Sequence, residues 1–146
     1  MKCTRAICLF VLVGLSVPCF AHHMALVVNK DNNVGDVSSS HLAKIFRLEV
    51  KKWRDGKDII LVLHADSEGE RTTLQRLSHM SGPEFKSFIA AHQESVKVAA
   101  TDAEVLKIVQ DTPGAVGLVD VRSITDQINV VRVDNKLPME AGYLPH

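Results

Sequence analysis

Between Leu63 and Leu74 the chain reads LHADSEGERTTL, a short apolar run that gives way to small and charged residues before leucines resume at helical spacing. Gly69, Arg71, Thr72 and Thr73 are the residues here that could do chemistry. A guanidinium offers a planar fork of donors, two hydroxyls add more, and glycine lets a ligand approach the backbone, which together make a donor set for a small oxyanion such as phosphate. The start of a helix adds unpaired N–H groups and a partial positive charge. Against this, Ser67-Glu68-Gly69-Glu70 fits the capping-box pattern, in which Ser67 takes one free N–H and Glu70 reaches back to the other. Glu68 and Glu70 also put two carboxylates where an anion would sit. The cap is the favoured reading of this loop, and weak oxyanion binding competes with it. Ser38, Ser39 and Ser40 precede Leu42, Ile45 and Phe46 and form a second candidate helix start that would face the same edge.

Other chemistries find less to rest on. His64, His79 and His92 are scattered without paired ligand spacing, so no structural zinc site is expected. Cleavage after Ala21 would leave His22 at the N-terminus, where amine and imidazole together chelate copper if a third ligand is supplied; a solvated start is the favoured reading. Serines and histidines are plentiful, but no G-x-S-x-G elbow ties a nucleophile to a base, and no glycine-rich nucleotide loop is present. No catalytic residue, metal or cofactor is therefore assigned, and the chain is expected to act by binding.

The elements that must position these residues follow from composition and spacing. Residues 1–21 combine a basic start (Lys2, Arg5), an apolar run from Ile7 to Val17 and a plausible cut after Ala21, the pattern of an export signal. Pro18 before Cys19 argues against a lipid anchor. Cys3, Cys8 and Cys19 are the three cysteines of the chain, and all would leave with that segment, so the mature chain is expected to rely on its core. Removal of Lys2 and Arg5 leaves two fewer basic than acidic groups, starting from 17 of each, which argues against a nucleic-acid surface. Residues 22–146 suit one compact domain. Apolar runs at 25–29, 59–64, 115–120 and 128–133 read as strands; 95–100 reads as a strand or a connector. Helices are expected after Ser38–Ser40, after Ser67, from Ser81-Gly82-Pro83 and from Thr101 or Asp102. This alternation implies an α/β, three-layer sandwich with a mostly parallel sheet. Residues 136–146 read as an irregular tail.

Three segments in order, LAKIFRLEVKKWRDGKDI (42–59), HADSEGERTTL (64–74) and TPGAVGLVD (112–120), resemble the phosphate-type, PstS-like substrate-binding proteins of periplasmic uptake systems, and in particular a short single-lobe member. The resemblance runs from about Leu26 to Val133. It implies one lobe of a type II periplasmic binding protein, a periplasmic location, phosphate or a similar small oxyanion as ligand, and a membrane ABC transporter or another periplasmic protein as partner. In such relatives an arginine, an aspartate and a Ser-Gly-Thr run surround the oxyanion. Laid onto this chain, those positions fall on His64, Asp66, Glu68, Gly69 and Glu70, of which only Asp66 and Gly69 match. Two expectations follow: a receptor that holds its oxyanion at an exposed edge through Gly69, Arg71, Thr72, Thr73 and Ser38–Ser40, or a periplasmic interaction module that has kept the lobe and lost the ligand. A bare cleft face would also suit a homodimer.

Overall fold

The computed structural model describes residues 23–145; the expected export segment and the copper question at His22 lie outside them. In chain order the elements are β1 (Met24–Asn29), β2 (Asp36–Val37), α1 (Ser39–Phe46), β3 (Ile60–His64), α2 (Glu68–Ser78), α3 (Gly82–Ala91), β4 (Val96–Ala99), α4 (Asp102–Asp111), β5 (Ala115–Asp120), a 3-10 turn (Val121–Ser123), β6 (Ile128–Val130) and β7 (Arg132–Val133). Five strands form one sheet in the order β4-β3-β5-β1-β6, and β2 pairs with β7 apart from it. Strands β3, β4, β5 and β6 run the same way, while β1 lies antiparallel between β5 and β6. The sheet is mostly parallel, and β1 is its one reversed strand.

The runs that lack alternation are buried on both faces, as expected for strands covered by helices. Leu26, Val28, Leu61, Leu63, Val116 and Leu118 pack on the side of α1, α2 and α3, whereas Val27, Val62, Ala115 and Val119 pack against α4. Successive side chains thus serve opposite cores, each worth roughly 1.5–3 kcal/mol on full burial. Gly117 lets α4 approach the sheet: an added Cβ would lie 3.0 Å from Val105 Cγ1 and 3.1 Å from the Val62 carbonyl. Among the described residues no helix is long and apolar enough to cross a membrane.

Caps mark the helix starts. Ser38, Ser67, Ser81 and Thr101 each accept from the backbone N–H three residues on. Ser81 and Glu84 complete a reciprocal capping box. The box expected at Ser67 is only half made: Ser67 accepts from Glu70 N, but the Glu70 carboxylate turns inward and accepts from His64 N at 2.8 Å. The reason is burial, because Glu70 is 1% exposed beneath the end of β3.

Trp53 anchors the turn before β3. It is buried, and its indole N–H donates to the Gly114 carbonyl at 2.8 Å. The same carbonyl accepts from Ile60 N at 3.2 Å, so one backbone oxygen ties the turn, β3 and the start of β5 together. Gly114 has φ +82°, and a Cβ there would stand 2.1 Å from the Asp58 carbonyl oxygen.

Two expectations change at the C-terminal side. The run 128–133 is divided into β6 and β7, and the tail is anchored. In the β1–β6 register Leu26 stands opposite Val131, and Val131 N donates to Leu26 O as a ladder pair requires. The return bond is replaced: Leu26 N donates to Tyr143 Oη at 3.1 Å, and that hydroxyl donates to Val131 O at 2.5 Å. Inserting a phenol between the two strands ends β6 and buries Tyr143 and Leu144. Burial also pushes the Tyr143 phenol up to about 12.

Two substitutions test these anchors by urea denaturation. Gly114→Ala should cost on the order of 3 kcal/mol, from positive φ and the clash with Asp58 together, while Gly35→Ala, whose Cβ would meet nothing within 4 Å, should stay within about 0.5 kcal/mol. Tyr143→Phe strands Leu26 N and Val131 O and should cost about 1–3 kcal/mol; an unchanged midpoint would mean that the strands re-pair directly.

Candidate functional site

In a mostly parallel α/β sheet, the chain leaves the core at the carboxyl ends of the strands, and helix starts gather there. Here a polar hollow of about 400 Å³ opens at that end, lined by Met24, His64, Ser67, Asp102, Asp120, Arg122 and Ser123. His64 and Asp120 are the last residues of β3 and β5, Ser67 caps α2, Asp102 opens α4, and Arg122 and Ser123 lie on the 3-10 turn. Antiparallel β1 brings Met24 to the same place, paired with Asp120.

Asp102 organises the hollow. One carboxylate oxygen meets His64 Nδ1 at 2.8 Å, and the other accepts from Asp120 N and from Ser123 Oγ, both at 2.9 Å. These acceptances fit an ionised carboxylate, which makes Nδ1 the protonated ring nitrogen of His64. Asp120 accepts from the Nε and Nη2 groups of Arg122 at 2.9 Å each, a bidentate pair that raises the proton affinity of the guanidinium. Arg122 remains mostly exposed, with a side chain 75% accessible, and the Nη1 end of its fork makes no bond with the described residues. Ser67 Oγ accepts from Glu70 N and keeps its own proton to donate. The order Ser123–Asp102–His64 places the carboxylate between hydroxyl and imidazole, so the imidazole does not reach the hydroxyl as it does in a Ser-His-Asp triad. No group of three or more His, Cys, Asp or Glu among the described residues is placed to hold a metal ion.

Beneath the hollow lies Glu70. Burial pushes its carboxyl well above the usual range; the bond from His64 N works the other way, and the negative charge of Asp102 adds to the rise. Its Oε1 is buried with no hydrogen-bond partner. Glu70 therefore does not stand in the path of an anion, as its sequence position suggests, but behind the wall.

The residues singled out from sequence are dispersed. Gly69 is in the first turn of α2; Thr72 is half-buried and Thr73 buried on that helix. Arg71 is exposed and lines a different hollow, between α2, α3 and β4, and makes no side-chain hydrogen bond or ion pair with the described residues. Ser38 caps α1, Ser40 meets Ser38 through its hydroxyl at 3.2 Å, and Ser39 N is taken by the Asp134 carboxylate at 3.1 Å. None of Ser38, Ser39 and Ser40 lines the strand-end hollow. Asp102, Asp120, Arg122 and Ser123 are not among the residues that sequence reasoning picks out. For Asp120, Arg122 and Ser123 the signal is the step DVRS straight after the buried run ending at Val119, while Asp102 is legible only as part of a helix start.

Comparison with known proteins adds the family context. The family profile of the PBP superfamily domain matches residues 15–144. The phosphate-binding protein PstS of Bacillus subtilis is 34% identical over 120 residues, covering 79% of this chain and 37% of that protein. Among solved structures, an ABC-type phosphate transport receptor from Vibrio cholerae superposes with a TM-score of 0.66 at 19% identity, covering 80% of this chain and 48% of the receptor. A putative phosphate ABC transporter substrate-binding protein with bound phosphate from Clostridium perfringens gives 0.63 at 21% identity, covering 77% and 45%. At these identities the structural likeness shows the fold. The chain spans little more than a third of the Bacillus protein and under half of either structural relative.

Glu70 yields a test of the site's foundation. In the unfolded chain a glutamate titrates at about 4.3; in the fold its affinity for a proton is higher. The folded state therefore holds a proton that the unfolded state releases, and stability falls as pH rises from the unfolded value through the folded one. Glu70→Gln keeps the acceptor for His64 N and cannot ionise. Its urea midpoint should gain on wild type progressively as pH rises above the unfolded value. A constant difference across that rise would mean that Glu70 titrates alike in both states.

Proposed function

This chain belongs to the PBP superfamily, and from that premise we propose that it is an exported, non-catalytic receptor domain of the phosphate-uptake type, which binds a small tetrahedral oxyanion such as phosphate in the strand-end hollow. One observation carries this: the starts of two helices, α2 and α4, and the Arg122 side chain open onto the same polar hollow at the carboxyl ends of β3 and β5. The first N–H groups of α2, at Glu68 and Gly69, have no acceptor within their own helix. The hydroxyl of Ser67 donates beside them, and Ser123 stands across the hollow. Such an arrangement needs no reacting group; it needs donors aimed at one point.

The charge balance sets the strength of this site. Arg122 already has a carboxylate in Asp120, and the His64 ring is held by Asp102. An arriving anion gains from the helix starts and from Arg122 but meets both carboxylates, so weak binding is expected and a singly charged species is favoured over a dianion. The surface around the hollow would meet a second lobe, a second copy of the chain or the transporter, and location in the periplasm belongs to the same proposal.

Isothermal titration of residues 22–146 with inorganic phosphate, and with sulfate as comparison, tests this. Saturable phosphate heat should weaken about tenfold or more in Arg122→Ala, the scale of one charged hydrogen bond, and should be unchanged in Arg71→Ala. Loss of binding in Arg71→Ala with Arg122→Ala intact would move the site to the hollow between α2, α3 and β4. Heat no different from dilution in wild type would overturn oxyanion binding by this chain.

A further inference from the structure

A second hollow, of about 630 Å³, lies on the other side of α2, between α2, α3 and the edge strand β4. Its walls are apolar, with Leu63, Leu74, Phe85, Ile89 and Val98 prominent, and Arg71 and Lys86 stand among them. Val98 is 48% exposed, one of three large hydrophobic residues in that condition among the described residues. Among the described residues, the sheet edge that borders the groove is unpaired. In the β3–β4 ladder, Leu61 N donates to Ser95 O and Ala65 N donates to Ala99 O. Odd-numbered residues of β4 thus face β3, and by the alternation of a strand the N–H and C=O groups of Val96 and Val98 point to the free edge. Val98 therefore presents its side chain to the groove and its backbone to whatever lies alongside.

From this geometry we propose that the β4 edge and the adjoining groove form a docking site for an extended, acidic segment of a partner protein, which adds as a strand beside β4 and turns apolar and acidic side chains at every second position towards the groove. Strand addition supplies main-chain bonds through Val96 and Val98 and selects side chains at every second position. Charge complementarity fixes the sign of the partner. Neither Arg71 nor Lys86 makes a side-chain hydrogen bond or ion pair with the described residues. Among the described residues, the one acidic residue lining the groove is Glu70, whose burial favours the neutral form. The Oε1 of Glu70 is buried without a partner at this same wall. A second copy fits poorly, because pairing β4 with itself would set Arg71, Lys86 and Lys97 near their own counterparts. The site is separate from the strand-end hollow, and its success or failure is independent of oxyanion binding.

The test uses fluorescence anisotropy with a labelled, end-blocked peptide that carries valine and glutamate in turn at every second position, with serine between them, so that both types share the face turned to the groove. Three comparisons accompany it: the same peptide with lysine for glutamate, the glutamate peptide N-methylated along one edge, and decanoate as a small amphipathic anion. Saturable binding of the glutamate peptide should weaken about tenfold or more when Arg71→Glu and Lys86→Glu are combined. It should also be lost on N-methylation, which removes strand pairing without touching the fold. Equal binding of the lysine peptide, indifference to N-methylation, or an unchanged affinity in the double variant would each overturn the proposal. So would saturable binding of decanoate with none of the peptide, which would give the groove to a small molecule.

Discussion

Two-sided burial of the central strands is the constraint from which the rest of this molecule follows. Strands β1, β3 and β5 must satisfy one core facing α1, α2 and α3 and another facing α4, so between their ends every position is apolar or glycine. A polar side chain in mid-strand would leave a buried group without water, at a cost of about 1–3 kcal/mol. Chemistry is thereby confined to the places where strands run out. His64 and Asp120 are the first residues of β3 and β5 that need not be apolar, and Asn29 marks the far end of β1, where its amide donates to the carbonyls of Val109 and Gln110 at 2.9 Å. The position of the hollow is a consequence of the core.

Within that hollow, Asp102 decides what the remaining groups can do. It sits in the first turn of α4, where the field of the helix favours a carboxylate, and it gathers His64, Ser123 and the backbone of Asp120. The same carboxylate that builds the site also limits it, since it claims the imidazole that would otherwise strengthen anion binding. Arg122 is less committed. Its partner Asp120 holds one edge of the fork, and three-quarters of its side chain faces solvent, so it can turn to a ligand at small cost. This asymmetry is why Arg122 and not His64 is the residue assigned the ligand's charge.

The layered α/β fold is legible in the sequence because its signals are local. Runs at 59–64 and 115–120 without alternation, serine or threonine before helical spacing at 38, 67, 81 and 101, and Pro113-Gly114 before a strand each state their own structure. Ser67 is legible as a cap, but its partner is not: whether Glu70 reaches Ser67 N or His64 N depends on how deeply the end of β3 covers it, and depth is a tertiary quantity. The site is harder to read for a related reason. Arg71 closely follows Asp66 and Gly69 in a run that looks like an anion loop, yet helix geometry carries it around α2 to the other side. Asp102 and the pair Asp120 and Ser123 come from separate parts of the chain and share a hollow with His64 only because β4, β3 and β5 are neighbours. Tyr143 gives no signal either, since nothing in an irregular tail announces that its hydroxyl replaces a ladder bond.

The start of α2 divides the two hollows, and residues on it serve both. His64 lines each of them, and Glu70 lies between, bonded to the His64 backbone and lining the apolar groove. An ionised Glu70 would act on both sides at once. It would oppose an anion in the strand-end hollow, already edged by Asp102 and Asp120, and it would cancel part of the positive charge that Arg71 and Lys86 bring to the groove. Desolvation lowers that penalty by favouring the protonated carboxyl. A neutral glutamate also keeps an oxygen for His64 N, which a hydrophobic residue of the same size would not supply, and that bond holds the end of β3 against the helix. Its carboxyl thus supplies an acceptor where the backbone needs one while withholding the charge that both surfaces would have to overcome.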